Sequence, residues 1–106
     1  AVTAALNVPT GVAVQAMISV TLLDDTANSA VHALVTALAE TDSAPTVNLH
    51  TVMTPDVGGG PQTSQTFTTV PTDTSAQIRY RLSATGSDKT VQIYSIGWVD
   101  TRGRLA

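Results

Sequence analysis

Residues 11–23 read GVAVQAMISVTLL, with Val12, Val14, Ala16, Ile18, Val20 and Leu22 on one parity and Gln15, Ser19 and Thr21 on the other. An apolar repeat of two sustained over this length belongs to a strand with one buried face, because a helix turns successive odd or even residues around its whole circumference. Val8-Pro9-Thr10-Gly11 in front of it is a turn signal: Pro9 fixes φ, and Gly11 is free to take a positive φ. DDTANS at 24–29 closes the strand as a polar turn.

At 29–40, SAVHALVTALAE, two periods compete. Val31, Leu34, Val35 and Leu38 match a helical face that Ser29 would cap, whereas Val31, Ala33, Val35, Ala37 and Ala39 match a strand. The all-β surroundings and the TDSAP turn at 41–45, leading into a strand over 46–54, decide for strand; a helix here would make the chain α+β. TPDVGGGPQ at 54–62 reads as an exposed loop. Its glycines run into Pro61 without a lysine, so they do not make a phosphate loop.

Phe67 is the expected core residue of TSQTFTTV, and a second Val-Pro-Thr at 70–72 marks another strand boundary. AQIRYRLSA follows, with Ile78, Tyr80 and Leu82 on one face and Arg79 and Arg81 on the other. TGSDK at 85–89 is expected to be a hairpin turn with Gly86 at its tip. In TVQIYSIGWVD, Val91 and Ile93 share one parity while Tyr94, Ile96 and Trp98 share the other. Either both faces of this last strand are covered or a bulge near Tyr94 and Ser95 swaps them. Six or seven strands separated by turns predict an all-β fold, an antiparallel β-sandwich or jelly-roll-like domain spanning 1–106.

The 106 residues suffice for one domain with one core. Hydrophobic residues make up 42%, largely Ala and Val, and charged residues 12%, about half the usual share. That combination suggests surface covered by other subunits. A net charge of -3 argues against nucleic acid as a partner, because a polyanion requires clustered Lys and Arg. Cysteine is absent, which removes thiolate chemistry and disulfides. No run approaches the ~20 apolar residues of a membrane span, so membrane insertion is not expected. A basic-then-apolar signal is also missing, and a start at Ala1 rather than Met suggests processing or a piece of a longer protein.

Candidate chemistry is sparse, and neither enzymatic activity nor a cofactor is expected. Asp24 and Asp25 are adjacent carboxylates, read as turn formers; with Asn28 they lack the calcium-loop frame. His32 and His50 have no further zinc ligand at recognisable spacing, and no G-x-S-x-G elbow accompanies them. Arg79 and Arg81, with Tyr80, form either a solvated face with cross-strand partners or a subunit interface. Trp98 with Tyr94, Tyr80, Asp100, Arg102 and Arg104 is the cluster that looks like a binding surface: a flat ring for a sugar face, and charged groups for its hydroxyls. Trp98 is assigned to its own core first, a neighbouring subunit second and a sugar third. Residues 101–106 are expected to fray.

The VPTGVAV entrance, the strand TSAQIRYRLSA and the closing GWVDTRGR give the chain a resemblance to small β-structured appendage domains of tailed-bacteriophage virion proteins, of the tail fibre, tailspike or head decoration type. The resemblance implies a virion location and a homo-oligomer, commonly a trimer. It also implies partners among other virion proteins and, outside the particle, a host-surface glycan. A carbohydrate-binding module appended to a glycan-active enzyme, with Trp98 and Tyr94 as its stacking platform, is the alternative.

Overall fold

The structure, a computed structural model, describes residues 2–25, 30–54, 61–84, 86 and 88–100. Among these lie seven strands: β1 (Val2–Ala5), β2 (Gln15–Asp24), β3 (His32–Ala37), β4 (Val52–Met53), β5 (Gln62–Pro71), β6 (Gln77–Leu82) and β7 (Lys89–Val99). They form two antiparallel sheets, a four-stranded one in the order β1-β6-β3-β4 and a three-stranded one in the order β5-β2-β7. The result is the all-β sandwich that the period-two pattern predicts.

The alternation in β2 supplies one wall of the core. Ala16, Ile18, Val20 and Leu22 are fully buried on one face of the strand. From the other sheet they meet Ala33 and Val35 of β3, Val52 of β4 and Ile78 of β6. Small β-branched residues suit this thin interior, because two close layers leave little depth for rings. Within the ambiguous 29–40 segment His32–Ala37 is a strand, with Val31, Ala33, Val35 and Ala37 buried at every second position; Ala39, expected on the same face, lies in the turn after the strand and is exposed. Burying its helical alternative would instead have placed Leu34, which is only half-buried, in the interior.

Several expectations are corrected. Phe67 lies outside the core, 69% exposed on the outer face of β5. Parity explains it: Val70 points inward, so position 67 points outward. TGSDK is not a hairpin turn, because β6 and β7 belong to different sheets and the segment carries the chain from one layer to the other. The strand expected over 46–54 shrinks to Val52–Met53, and Thr46 and Leu49 instead close a tight turn through two backbone hydrogen bonds. Val2–Ala5 forms an edge strand on β6 that the sequence reading did not include. Asn28, the glycines at 58–60, Arg102, Arg104 and the tail at 101–106 lie outside the described residues.

Gly11 takes φ 82°, as its place after Pro9 suggests, and its N–H donates to the Thr74 carbonyl at 2.6 Å. Nothing lies within 4 Å of an added Cβ, so a side chain there meets backbone strain and no clash. Gly11→Ala is expected to lower stability by about 1–2 kcal/mol, the cost of a left-handed L-residue. Denaturant unfolding checks this through a lower midpoint at an unchanged slope.

Candidate functional site

In the last strand the sequence left two alternatives, and the structure takes the bulge. Gly97 pairs with Met17 and Ser95 with Ile18, which leaves Ile96 as the extra residue. Ahead of it Val91, Ile93 and Ser95 face inward; Ser95 Oγ accepts the Asn7 N–H at 3.1 Å. Beyond it the parity reverses, so Gly97 shares the outer face with Met17, and Trp98 falls opposite the buried Ala16. Tyr94, opposite Ser19, therefore faces out, while Trp98 belongs to the inner side at the rim of the sandwich. Trp98 is nonetheless 48% exposed, so the assignment of this ring to the protein's own core is corrected. β7 is an edge strand, and no strand pairs with its far side to enclose the indole among the described residues.

The outer face of the three-stranded sheet carries no charged side chain over the rows where β5, β2 and β7 are aligned. One row reads Phe67, Ser19, Tyr94, and the next reads Thr69, Met17, Gly97. Gln65 Nε2 donates to Ser19 Oγ at 2.8 Å, which satisfies the hydroxyl beneath the rings. Phe67, Tyr94, Ile96 and Met17 are all exposed, and a shallow depression of about 300 Å³ lies between Met17, Phe67, Thr69 and Ile96. Gly97 allows the Met17 side chain to lie over β7, since a Cβ at 97 would stand 3.3 Å from Met17 Cε. Low charge, rings and a methionine are the composition of an interface centre. The signals legible in advance were the Phe67 parity relative to Val70 and the parity that Ile96 shares with Tyr94; the bulge that brings Gly97 onto this face, opposite Met17, required the register.

The outer face of the other sheet is different in kind. Arg79 stands between Thr3 and Thr36 on the flanking strands, and its Nη1 donates to the Glu40 carbonyl at 2.8 Å. Arg81 approaches Asp42 at 3.6 Å, both side chains well exposed, a pair of small energetic weight. Tyr80 points the other way and packs on the core. Of the three residues grouped as an interface, two are thus engaged locally on a wet face and the third is on the opposite face. Beside them, a cleft of about 430 Å³ runs between Tyr80, Arg81, Lys89 and Val91.

Asp24, expected to be a turn former, is instead the last residue of β2, 1% exposed, facing Gln62 on one side and Lys89 on the other. The Lys89 ammonium lies 3.0 Å from Asp88 Oδ2 and 3.8 Å from Asp24 Oδ1. The Asp88 hydrogen bond foremost, with the Asp24 charge assisting, holds the Lys89 pKa above its ordinary 10.5 against the opposing pull of desolvation. A pKa raised on folding contributes stability that is present in full below 10.5 and is lost as pH rises through the folded-state value. Lys89→Met is therefore expected to melt below the wild-type chain at neutral pH, with the gap closing above pH 10.5. A gap that stays constant in calorimetry across that range would contradict an ionic role.

His32 and His50, far apart in sequence, meet with ring centroids 5.3 Å apart and tilted by 55°. His50 Nδ1 lies 3.2 Å from the Thr46 carbonyl, and His32 Nε2 is buried. No group of three or more His, Asp or Glu side chains converges among the described residues. The pair sits at the β3–β4 end, away from the uncharged sheet face. Compared with known protein families, with curated proteins and with solved structures, the chain finds no match.

Proposed function

We propose that this chain is a non-enzymatic structural and attachment module of a bacteriophage particle, which associates with copies of itself and with other virion proteins and presents an aromatic surface to a host-surface glycan. One observation carries the reading. Of four aromatic residues, Phe67, Tyr94 and Trp98 are 69%, 59% and 48% exposed, while the interior is built from Ala, Val, Ile and Leu. Rings held in solvent give up the burial that would stabilise the fold by about 1.5–3 kcal/mol for a side chain such as Phe. They are instead the side chains that dominate recognition.

The virion setting rests on the resemblance, which also implies a trimer. The carbohydrate-binding module of an enzyme is supported less well. It uses Tyr94 and Trp98 as one platform, and the register separates them onto opposite faces of β7. Tyr94 with Phe67 across Ser19 is the ring pair on a common face.

Light scattering at micromolar concentration and adsorption to bacterial cells test the proposal together. The expected result is an oligomer that adsorbs, with adsorption lost in Tyr94→Ala combined with Phe67→Ala and retained in Arg79→Ala combined with Arg81→Ala. A strict monomer that does not adsorb overturns it.

A further inference from the structure

Among the described residues the four edge strands are protected very unequally. β1 and β4 are short, at four and two residues. β7 carries Lys89 at its start and the Ile96 bulge along its length. β5 has none of these features. It runs ten residues as QTSQTFTTVP, uncharged, with its one proline at the last position, in unbroken register with β2. An edge of this kind presents a row of N–H and C=O groups on its open side, and soluble proteins ordinarily blunt such an edge with charge, an internal proline, a bulge or shortness.

We infer that β5 is an intermolecular edge, pairing antiparallel with β5 of a second copy about a two-fold axis to make one continuous six-stranded sheet. The inference rests on the self-association in the proposed function and specifies its geometry.

Charge and parity favour a second copy as the occupant. Each chain carries a net charge of -3, yet two β5 strands meet without bringing a charged side chain into the seam. Opposed residues must share a face, so only registers whose paired residue numbers sum to an even value are allowed. A two-fold axis at Phe67 meets that condition. It sets the two Phe67 rings side by side on the outer face and Thr66 against Thr68 of the other copy on the inner one, both favourable cross-strand pairs.

Area is also sufficient. The molecule measures 24 by 23 Å across its short axes. A wall of that depth along a ten-residue strand of ~33 Å offers on the order of 700 Å² per partner, against the ~800 Å² of a standard interface. An isologous contact of this kind closes on two copies. Three-fold closure through β5 would require it to pair with a different edge of the neighbour: β1 or β4, which are short, or β7, which bears the lysine and the bulge.

Sedimentation or light scattering of the whole chain tests this with two charge variants and two cysteine variants. The wild-type chain is expected as a dimer. Phe67→Lys, which sets two like charges across the axis, is expected to be monomeric, and Ile96→Lys on the far edge to remain dimeric. Phe67→Cys is expected to form an intermolecular disulfide on mild oxidation, since opposed Cα atoms lie ~4.5–5.5 Å apart, within bridging range; Gln92→Cys on β7 is expected not to.

A trimer, a dimer that survives Phe67→Lys, or a Phe67→Cys chain that does not cross-link overturns the edge pairing and leaves self-association by another surface standing. A monomer that still adsorbs to cells overturns the pairing and leaves attachment standing.

Discussion

Ile18→Ala is expected to lower the free energy of unfolding by about 2–5 kcal/mol, measured as a fall in denaturant midpoint. Ile18 is fully buried in the middle of β2, facing Thr68 on β5 and Ser95 on β7 directly beside the bulge. Truncation opens a cavity in a thin two-layer core cluster of Ala, Val, Ile and Leu side chains, whose short reach limits how far they can close it, which places the loss towards the upper part of that range. A domain of this size is stable by only about 5–15 kcal/mol, so the variant forfeits a substantial fraction of the total. The companion measurement is Phe67→Ala, which deletes a larger side chain from a 69% exposed position. It is expected to move monomer stability by no more than about 0.5 kcal/mol, the range of ordinary surface substitutions. Equal losses at the two positions would place Phe67 in the core.

Thr72→Val and Thr54→Val are each expected to cost about 1–3 kcal/mol, although both are close in volume and add an apolar methyl to a buried site. Thr72 Oγ1 accepts the Val14 N–H at 3.2 Å and lies 3.3 Å from the Val14 carbonyl, while its own N–H donates to that carbonyl at 2.9 Å. Thr54 does the same for Val31: Oγ1 accepts the Val31 N–H at 3.0 Å, and the Thr54 N–H donates to the Val31 carbonyl at 2.9 Å. Both residues are buried, at 5% and 0% exposure, so valine leaves a backbone N–H with neither hydroxyl nor water. Serine retains the acceptor, and Thr54→Ser is expected to recover most of the loss in the same unfolding measurement. A valine variant as stable as wild type would show that these hydroxyls are not the clamps that extend the sheet past β5 and β4.

The sandwich was legible because β2 repeats with period two without a rival, and because the two periods that compete at 29–40 are decided for strand by the strands around them. The exterior was less legible, for identifiable reasons. Phe67 sits among threonines, and a lone ring in a polar strand reads as its core contact unless its parity is checked against Val70. The Ile96 bulge could be suspected from the parity conflict in VQIYSIGWV, but its position depends on pairing with Met17 and Ile18, which local sequence does not encode. The same holds for the crossing at 83–88, where Gly86 and polar neighbours resemble a hairpin turn although the strands they join lie in different layers. Asp24 looked like a turn residue because its partners Lys89 and Gln62 are remote in sequence. Of the outer-face site, Tyr94 was identified and Ile96 shares its parity; Phe67 and Met17 were placed beside them by the register with β2, and Trp98 was separated from them by it.

The central claim is that this protein holds three of its four aromatic side chains, Phe67, Tyr94 and Trp98, in solvent rather than in its core, and its single tryptophan tests that claim directly. Trp98 fluorescence in native buffer is expected to be red-shifted, close to that of the denatured chain, and readily quenched by iodide, in keeping with an indole 48% exposed at the rim of β7. A blue-shifted emission that iodide does not quench, and that shifts sharply on unfolding, would place Trp98 in the interior and contradict the claim.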